Sequence, residues 1–189
     1  MKKLLLLGLT MMLIISCKNQ EESNKNLATT PESNEIMATL EFDNSETALQ
    51  LVQNYVQALQ QGNVDNMSAQ LGENAMIYGL GGALDSLNVV QHTEYFTSST
   101  SDFTHTISQV LYLPVKVENS WNEGEWVLSW GINTISNKET NNAFPVPYHT
   151  ASKVENGKIV EMRYFYDMLN VISNQGFTIT PPTPPAAVE

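Results

Sequence analysis

The sequence predicts an α+β fold over residues 46–176, with helices gathered at the start of the domain and antiparallel strands after them. Three observations carry that reading. Ala48, Val52, Tyr55, Val56 and Leu59 recur at the spacing of one helical face. From Phe103 onward the pattern changes to long strand-like runs. Between the last two of these runs stands Glu155-Asn156-Gly157-Lys158, where Asn-Gly favours a two-residue type I′ hairpin because both central residues must take positive φ.

Ahead of the domain, Met1-Lys2-Lys3 leads into the apolar run Leu4 to Ile15 and then Ser16-Cys17, which holds the one cysteine of the chain. This is the order of a secretory signal: charge, apolar run, small residue. A spanning helix needs roughly 20 apolar residues, so this run is too short to remain as a membrane anchor. Leu13-Ile14-Ile15-Ser16-Cys17 resembles the lipobox of bacterial lipoproteins, which implies cleavage after residue 16 and a lipid on Cys17. The partner so implied is a membrane, held through acyl chains that each contribute about 0.8 kcal/mol per buried methylene. Lys18 stands where an aspartate would mark inner-membrane retention in that class, so the resemblance favours the outer membrane.

Loss of Lys2 and Lys3 would leave seven basic against twenty acidic residues, a net charge of about −13. Such acidity argues against nucleic acid or anionic lipid headgroups as partners, since both demand a basic patch. No disulfide is available once Cys17 is acylated, so the fold must rest on its core. Residues 17–45 carry few large apolar side chains and are expected to form a flexible tether behind the lipidated cysteine. Such a tether spans roughly 30 Å. Residues 177–189, with Pro181-Pro182-Thr183-Pro184-Pro185, can join neither a helix nor a central strand and are expected to be a disordered tail.

Within the domain, Thr47 and Gln50 fit a capping box for the first helix, which Gly62 ends. A short helix follows over Val64 to Leu71, capped by Asn63, then a strand at Ala75 to Tyr78 and a turn at Gly79, Gly81 and Gly82. A third helix is expected around Asn88 to Thr97. Strands are predicted at Thr106–Glu118, Glu125–Ile135, Val146–Val154 and Lys158–Asp167, and a closing helix at Met168–Asn174. Counting outward from the Asn-Gly turn with regular alternation places His149 opposite Tyr164, and Ala151 opposite Met162, on the apolar face. Tyr148, Ile159 and Phe165 fall on the other face, which is expected to meet solvent or a partner. Trp126, Leu128, Trp130 and Ile132 share the parity expected to face the core.

Two stretches, Tyr55-Val56-Gln57-Ala58-Leu59-Gln60-Gln61-Gly62-Asn63-Val64-Asp65 and the hairpin running into Tyr164-Phe165-Tyr166-Asp167, resemble the SnoaL-like branch of the nuclear transport factor 2-like superfamily. The resemblance implies a cone-shaped roll: a curved antiparallel sheet wrapped around the N-terminal helices, enclosing an apolar cavity. It also implies a homodimer formed through the sheet. Members include isomerases, cyclases, dehydratases and non-catalytic binding modules, so the fold licenses a cavity and not a reaction.

Enzymes of that family place an Asp or His base in the cavity with Tyr groups polarising a substrate oxygen, and by resemblance the usual aspartate position falls at Tyr164. The catalytic candidates are therefore His149, Asp167 and Tyr164. Two of them have a plain structural alternative: His149 as a core histidine satisfied by a tyrosine, Asp167 as a helix cap. Tyr55, Tyr78, Trp130, His149, Tyr164 and Tyr166 are the candidate ligand-lining residues, combining apolar bodies with polar tips. His92, His105 and His149 lack metal-ligand spacing, so no metal is expected. Gly79-Leu80-Gly81-Gly82 lacks the context of a dinucleotide loop, so no cofactor is expected either. The expected occupant is a small apolar or amphipathic molecule; an acid-base enzyme and a protein-interaction module are the open alternatives.

Overall fold

The structure, a computed structural model, describes residues 37–81, 85–178 and 180. The signal segment, Cys17, most of the tether and nearly all of the tail lie outside the described residues. In chain order the elements are β1 (Met37–Thr39), α1 (Ser45–Gln60), α2 (Val64–Ala69), β2 (Leu71–Tyr78), β3 (Ser86–Leu87), α3 (Val89–Asp102), β4 (Phe103–Glu118), β5 (Gly124–Asn137), β6 (Ala143–Glu155), β7 (Lys158–Tyr166) and α4 (Met168–Asn174). The sheet order is β1-β4-β5-β6-β7-β2-β3. Every neighbouring pair is antiparallel except β2 and β7, which run parallel, so the sheet is mixed.

α1 buries Ala48, Val52, Tyr55, Ala58 and Leu59 against the sheet. Its start differs from the expected capping box at Thr47: the helix begins at Ser45 after Asn44, with no side-chain cap. Gly62, at φ +66°, ends it as predicted. Met67, Ile77, Ile159 and Met162 are the largest fully enclosed side chains of the core. Each such burial contributes roughly 1.5–3 kcal/mol. The stretch read as tether contains β1, which pairs with the outer edge of β4 at Met37↔Glu118.

Two irregularities belong to the long strands. β4 shifts register between Ser108 and Leu111, where Gln109 sits at φ 53°. β7 carries an extra residue, Val160, between the pairs Val154↔Ile159 and Lys153↔Glu161. Bulges of this kind bend a strand and increase its twist, which lets the sheet curve over α1. Pro145 and Pro147 sit in a strand between two others, yet β7 ends opposite Tyr148, so both prolines lie where β6 is paired on one side only. The carbonyl of Pro145 accepts instead from Asn170 of α4, at 3.0 Å.

The Val160 bulge corrects the expected faces. The turn itself forms as predicted, with Asn156 at φ 50° and Gly157 at φ 70°. Beyond the bulge the partners change: Tyr164 pairs with Thr150, and His149 pairs with Phe165. Tyr148 and Ile159 thus share the inner face with Met162 and Tyr164, while His149 points outward. On β5 Trp126 is buried as expected, but beyond it the expected parity is reversed. Val127 and Ser129 are enclosed and Asn133 and Ile135 face the cavity described below, whereas Trp130 is partly exposed on the outer face.

Candidate functional site

A cavity of about 470 Å³ opens inside the curve of the sheet. α1 contributes Tyr55, Val56 and Leu59; α3 contributes Tyr95, Phe96 and Ser99; β5 contributes Asn133 and Ile135. β6 adds Val146 and Tyr148, β7 adds Tyr164 and Tyr166, and α4 adds Met168, Val171 and Ile172 across one side. The walls are predominantly apolar, and among the described lining residues there is no Lys or Arg. The one carboxylate among them is Asp102, on an exposed residue at the end of α3.

Polar groups in this wall are linked in short chains. The Tyr55 hydroxyl lies 2.6 Å from His92 Nε2 and 2.6 Å from the Tyr164 hydroxyl. His92 is wholly enclosed. Burial pulls its pKa down from 6.5 to about 4, so the ring is neutral at pH 7. Burial likewise pushes the phenols of Tyr55 and Tyr164 upward, and both stay protonated. Tyr166 donates to the Leu80 carbonyl at 2.9 Å and is itself hydrogen-bonded to Tyr95. His105 bridges Ser99 (3.2 Å) and Asn133 (3.1 Å), with its pKa lowered first by burial. Tyr148, its phenol pushed up to about 12 by burial, has no hydrogen-bond partner among the described residues. Gly131 lies beneath its ring, where an added Cβ would stand 3.0 Å from the Tyr148 ring and hydroxyl.

Of the residues singled out from the sequence, Tyr55, Tyr164 and Tyr166 come together at the cavity. His149, Trp130 and Tyr78 do not. His149 stacks between Trp130 and Phe165 on the outer face, with ring centroids 4.7 and 5.5 Å away, and its Nδ1–H donates to the Ser129 carbonyl at 3.0 Å. Tyr78 stands beside Arg163, whose guanidinium is 5.2 Å from the ring centre. Asp167 accepts from the Asn170 amide at 3.0 Å and caps α4. Arg163 pairs with Glu161 at 2.5 Å across half-exposed sheet surface.

Sequence reasoning missed His92, Tyr95, His105 and Asn133 as site residues. His92 and Phe96 stand four apart on α3, a spacing that marks an inward face, and this was the available signal. Among the described residues no group of His, Cys, Asp and Glu side chains is placed to hold a metal. The arrangement offers a mostly apolar chamber with hydroxyl groups at fixed points and one exposed carboxylate, Asp102, in its lining.

Residues 52–162 match the family model for the SnoaL-like domain. No curated protein sequence matches the chain. Among solved structures, the fold is similar to that of a provisionally named polyketide cyclase from Xanthomonas campestris pv. campestris. That pair is 17% identical with a TM-score of 0.58, covering 70% of this chain and 98% of the other. A provisionally named isomerase from Bacillus subtilis is 13% identical with a TM-score of 0.59, covering 71% of this chain and 96% of its own. An LEH-like epoxide hydrolase of M. tuberculosis is 14% identical with a TM-score of 0.52, covering 69% of this chain and 90% of the other. At these identities the likeness concerns the fold alone, a curved sheet over helices around a chamber. With a family model matched over more than half its length, the chain belongs to the SnoaL-like domain family.

Proposed function

We propose that this domain binds a small, uncharged apolar or amphipathic molecule in its cavity and does so without catalysis. The observation behind the reading is the electrostatics of the wall: roughly 470 Å³ lined mostly by apolar and hydroxyl-bearing side chains, with Asp102 as its one carboxylate and no Lys or Arg among the described lining residues to pair an anionic ligand. A carboxylate placed there would lose its hydration without a partner, which costs several kcal/mol. The test is native mass spectrometry of the full chain purified from membranes. A neutral adduct that organic extraction removes supports the reading, and a chain that never carries one under any mild condition counts against it.

An isomerase, cyclase or dehydratase is the second reading, favoured by His105 and Asp102 lining the same cavity. It does not draw on His149 or Asp167, which lie outside the wall. Deuterium exchange at the α-carbon of 2-tetralone distinguishes the two: exchange above buffer that disappears in His105→Ala establishes an enzyme, and background exchange supports a binder.

The lipid on Cys17 and placement at the outer membrane are part of the same proposal, supported by the signal-like order of residues 1–17. Metabolic labelling with an alkynyl fatty acid is expected to mark the native chain and not Cys17→Ser. A homodimer through the outer sheet face is also proposed. Its support is the row Leu111, Trp130, His149 and Phe165, which are cross-strand neighbours on four adjacent strands, three of them notably exposed.

A further inference from the structure

α4 is held differently from the other helices. α1, α2 and α3 each bury at least one side chain, whereas no residue of α4 is buried. Met168, Val171 and Ile172 line the cavity, yet none of them belongs to the core cluster or to the half-buried side chains packed against it. Among the described residues, the helix is tied to its surroundings by amide side chains at the surface. Asn170 Nδ2 donates to the Pro145 carbonyl at 3.0 Å, and Asn142 Nδ2 donates to the Asn174 carbonyl at 3.3 Å. Hydrogen bonds open to water are individually weak. The seven residues of α4 are also fewer than the roughly 12–15 that a helix needs to persist alone in water. A segment with few buried apolar contacts and exposed hydrogen bonds opens locally, well short of global unfolding. What α4 lacks is an apolar partner, and its apolar side chains border the open volume of the cavity.

We infer that α4 is a clasp closed by the ligand: it docks loosely on the free domain and is fixed when an apolar molecule fills the space beneath Met168, Val171 and Ile172. This deepens the binding reading above and rests on it. The part of the ligand that meets α4 is hydrocarbon, because the three side chains there are apolar. Opening of α4 and occupation of the cavity are then competing events, so a bound ligand suppresses the opening in proportion to its saturation. The side chains of α4 that face the cavity accordingly contribute to affinity rather than to the stability of the free domain.

The test is amide hydrogen exchange on the full chain, read peptide by peptide with and without 9-fluorenone. In the free chain the amides of α4 are expected to exchange at least about a hundredfold faster than those of α1, at a rate that dilute urea does not change. Exchange of α4 and α1 at one common rate overturns the inference whatever the protein binds. With 9-fluorenone in excess, exchange in α4 is expected to slow in proportion to the ratio of ligand concentration to Kd, while β1, at the outer edge of the sheet, exchanges as before. Saturable binding that leaves α4 exchange unchanged overturns the coupling and leaves cavity binding standing. Failure of 9-fluorenone to bind overturns the cavity reading and the coupling with it. Ile172→Ser gives a second readout, since Ile and Ser have similar helix propensities. It is expected to weaken 9-fluorenone roughly tenfold, with a thermal midpoint near that of the native chain. A lowered midpoint with unchanged affinity would make α4 a structural wall and contradict the inference.

Discussion

Single residues set the most exacting conditions on the site. Gly79 stands at φ +86°, and a Cβ there would overlap the backbone carbonyl oxygen of Tyr164. Gly62 has a similar φ of +66° but open space around it. Gly79→Ala is therefore expected to cost at least about 3 kcal/mol, strain plus clash, against about 1 kcal/mol for Gly62→Ala, as read by urea denaturation. Equal losses would contradict the close approach of Gly79 to the strand that carries Tyr164. His92 makes a second condition, on pH. Its folded-state pKa, about 4, lies below the unfolded value near 6.5, so the unfolded chain binds more protons between those values. Stability is then fully present above pH 6.5 and is lost as pH falls toward 4. Relative to His92→Gln, the native chain is expected to lose roughly 2–3 kcal/mol across that window, measured by denaturant unfolding at each pH. Parallel curves for the two proteins would show that the histidine is not buried neutral.

At the scale of elements, helix starts agree with the sequence where a side chain caps them, at Asn63 and Asp167, since a cap is a local event, and disagree at α1, which begins without one. Asn88 and Gln91 form a full capping box on α3, and Asp167 caps α4 through its own side chain. Asp167→Ala is expected to cost about 1 kcal/mol while Asp167→Asn, an equally good cap, is nearly neutral in thermal unfolding. A loss of ligand binding in Asp167→Asn without loss of stability would instead give that carboxylate a direct role. The Asn156-Gly157 turn was legible for the same reason as the caps: two positive φ values demand those residues. The bulge three residues later was not. Val160 has nothing in its chemistry to distinguish an extra residue from a regular one, yet it reverses the parity of β7 relative to β6. That single step keeps Met162 and Tyr164 on the same inner face as Ile159, Thr150 and Tyr148, and with it the expected His149–Tyr164 pair was lost.

For the molecule as a whole, the order of helices and strands was readable because each depends on period and turn chemistry within short windows. The contents of the cavity depend on contacts across the chain. Tyr55 and Tyr164, bonded to each other, are 109 residues apart, and no local pattern links them or His92. The outer face was legible only as an amphipathic mixture, whereas the fold lines up Leu111, Trp130, His149 and Phe165 in one row. Phe165→Lys, at a position 54% exposed, is expected to leave the fold intact and convert a dimer to a monomer in sedimentation velocity. A native chain that is already monomeric at high concentration would sink that proposal without touching the cavity.

The claim on which the rest depends is that the chamber takes up an uncharged ligand. Isothermal titration of the full chain with 9-fluorenone and with 9-fluorenone-2-carboxylate, beside a Val146→Phe variant that fills the wall, tests it most directly. Saturable binding of the neutral ketone, at least tenfold weaker binding of the carboxylate and loss of both in the filled variant are the results predicted. Tighter binding of the carboxylate, or fluorenone binding untouched by Val146→Phe, would contradict it.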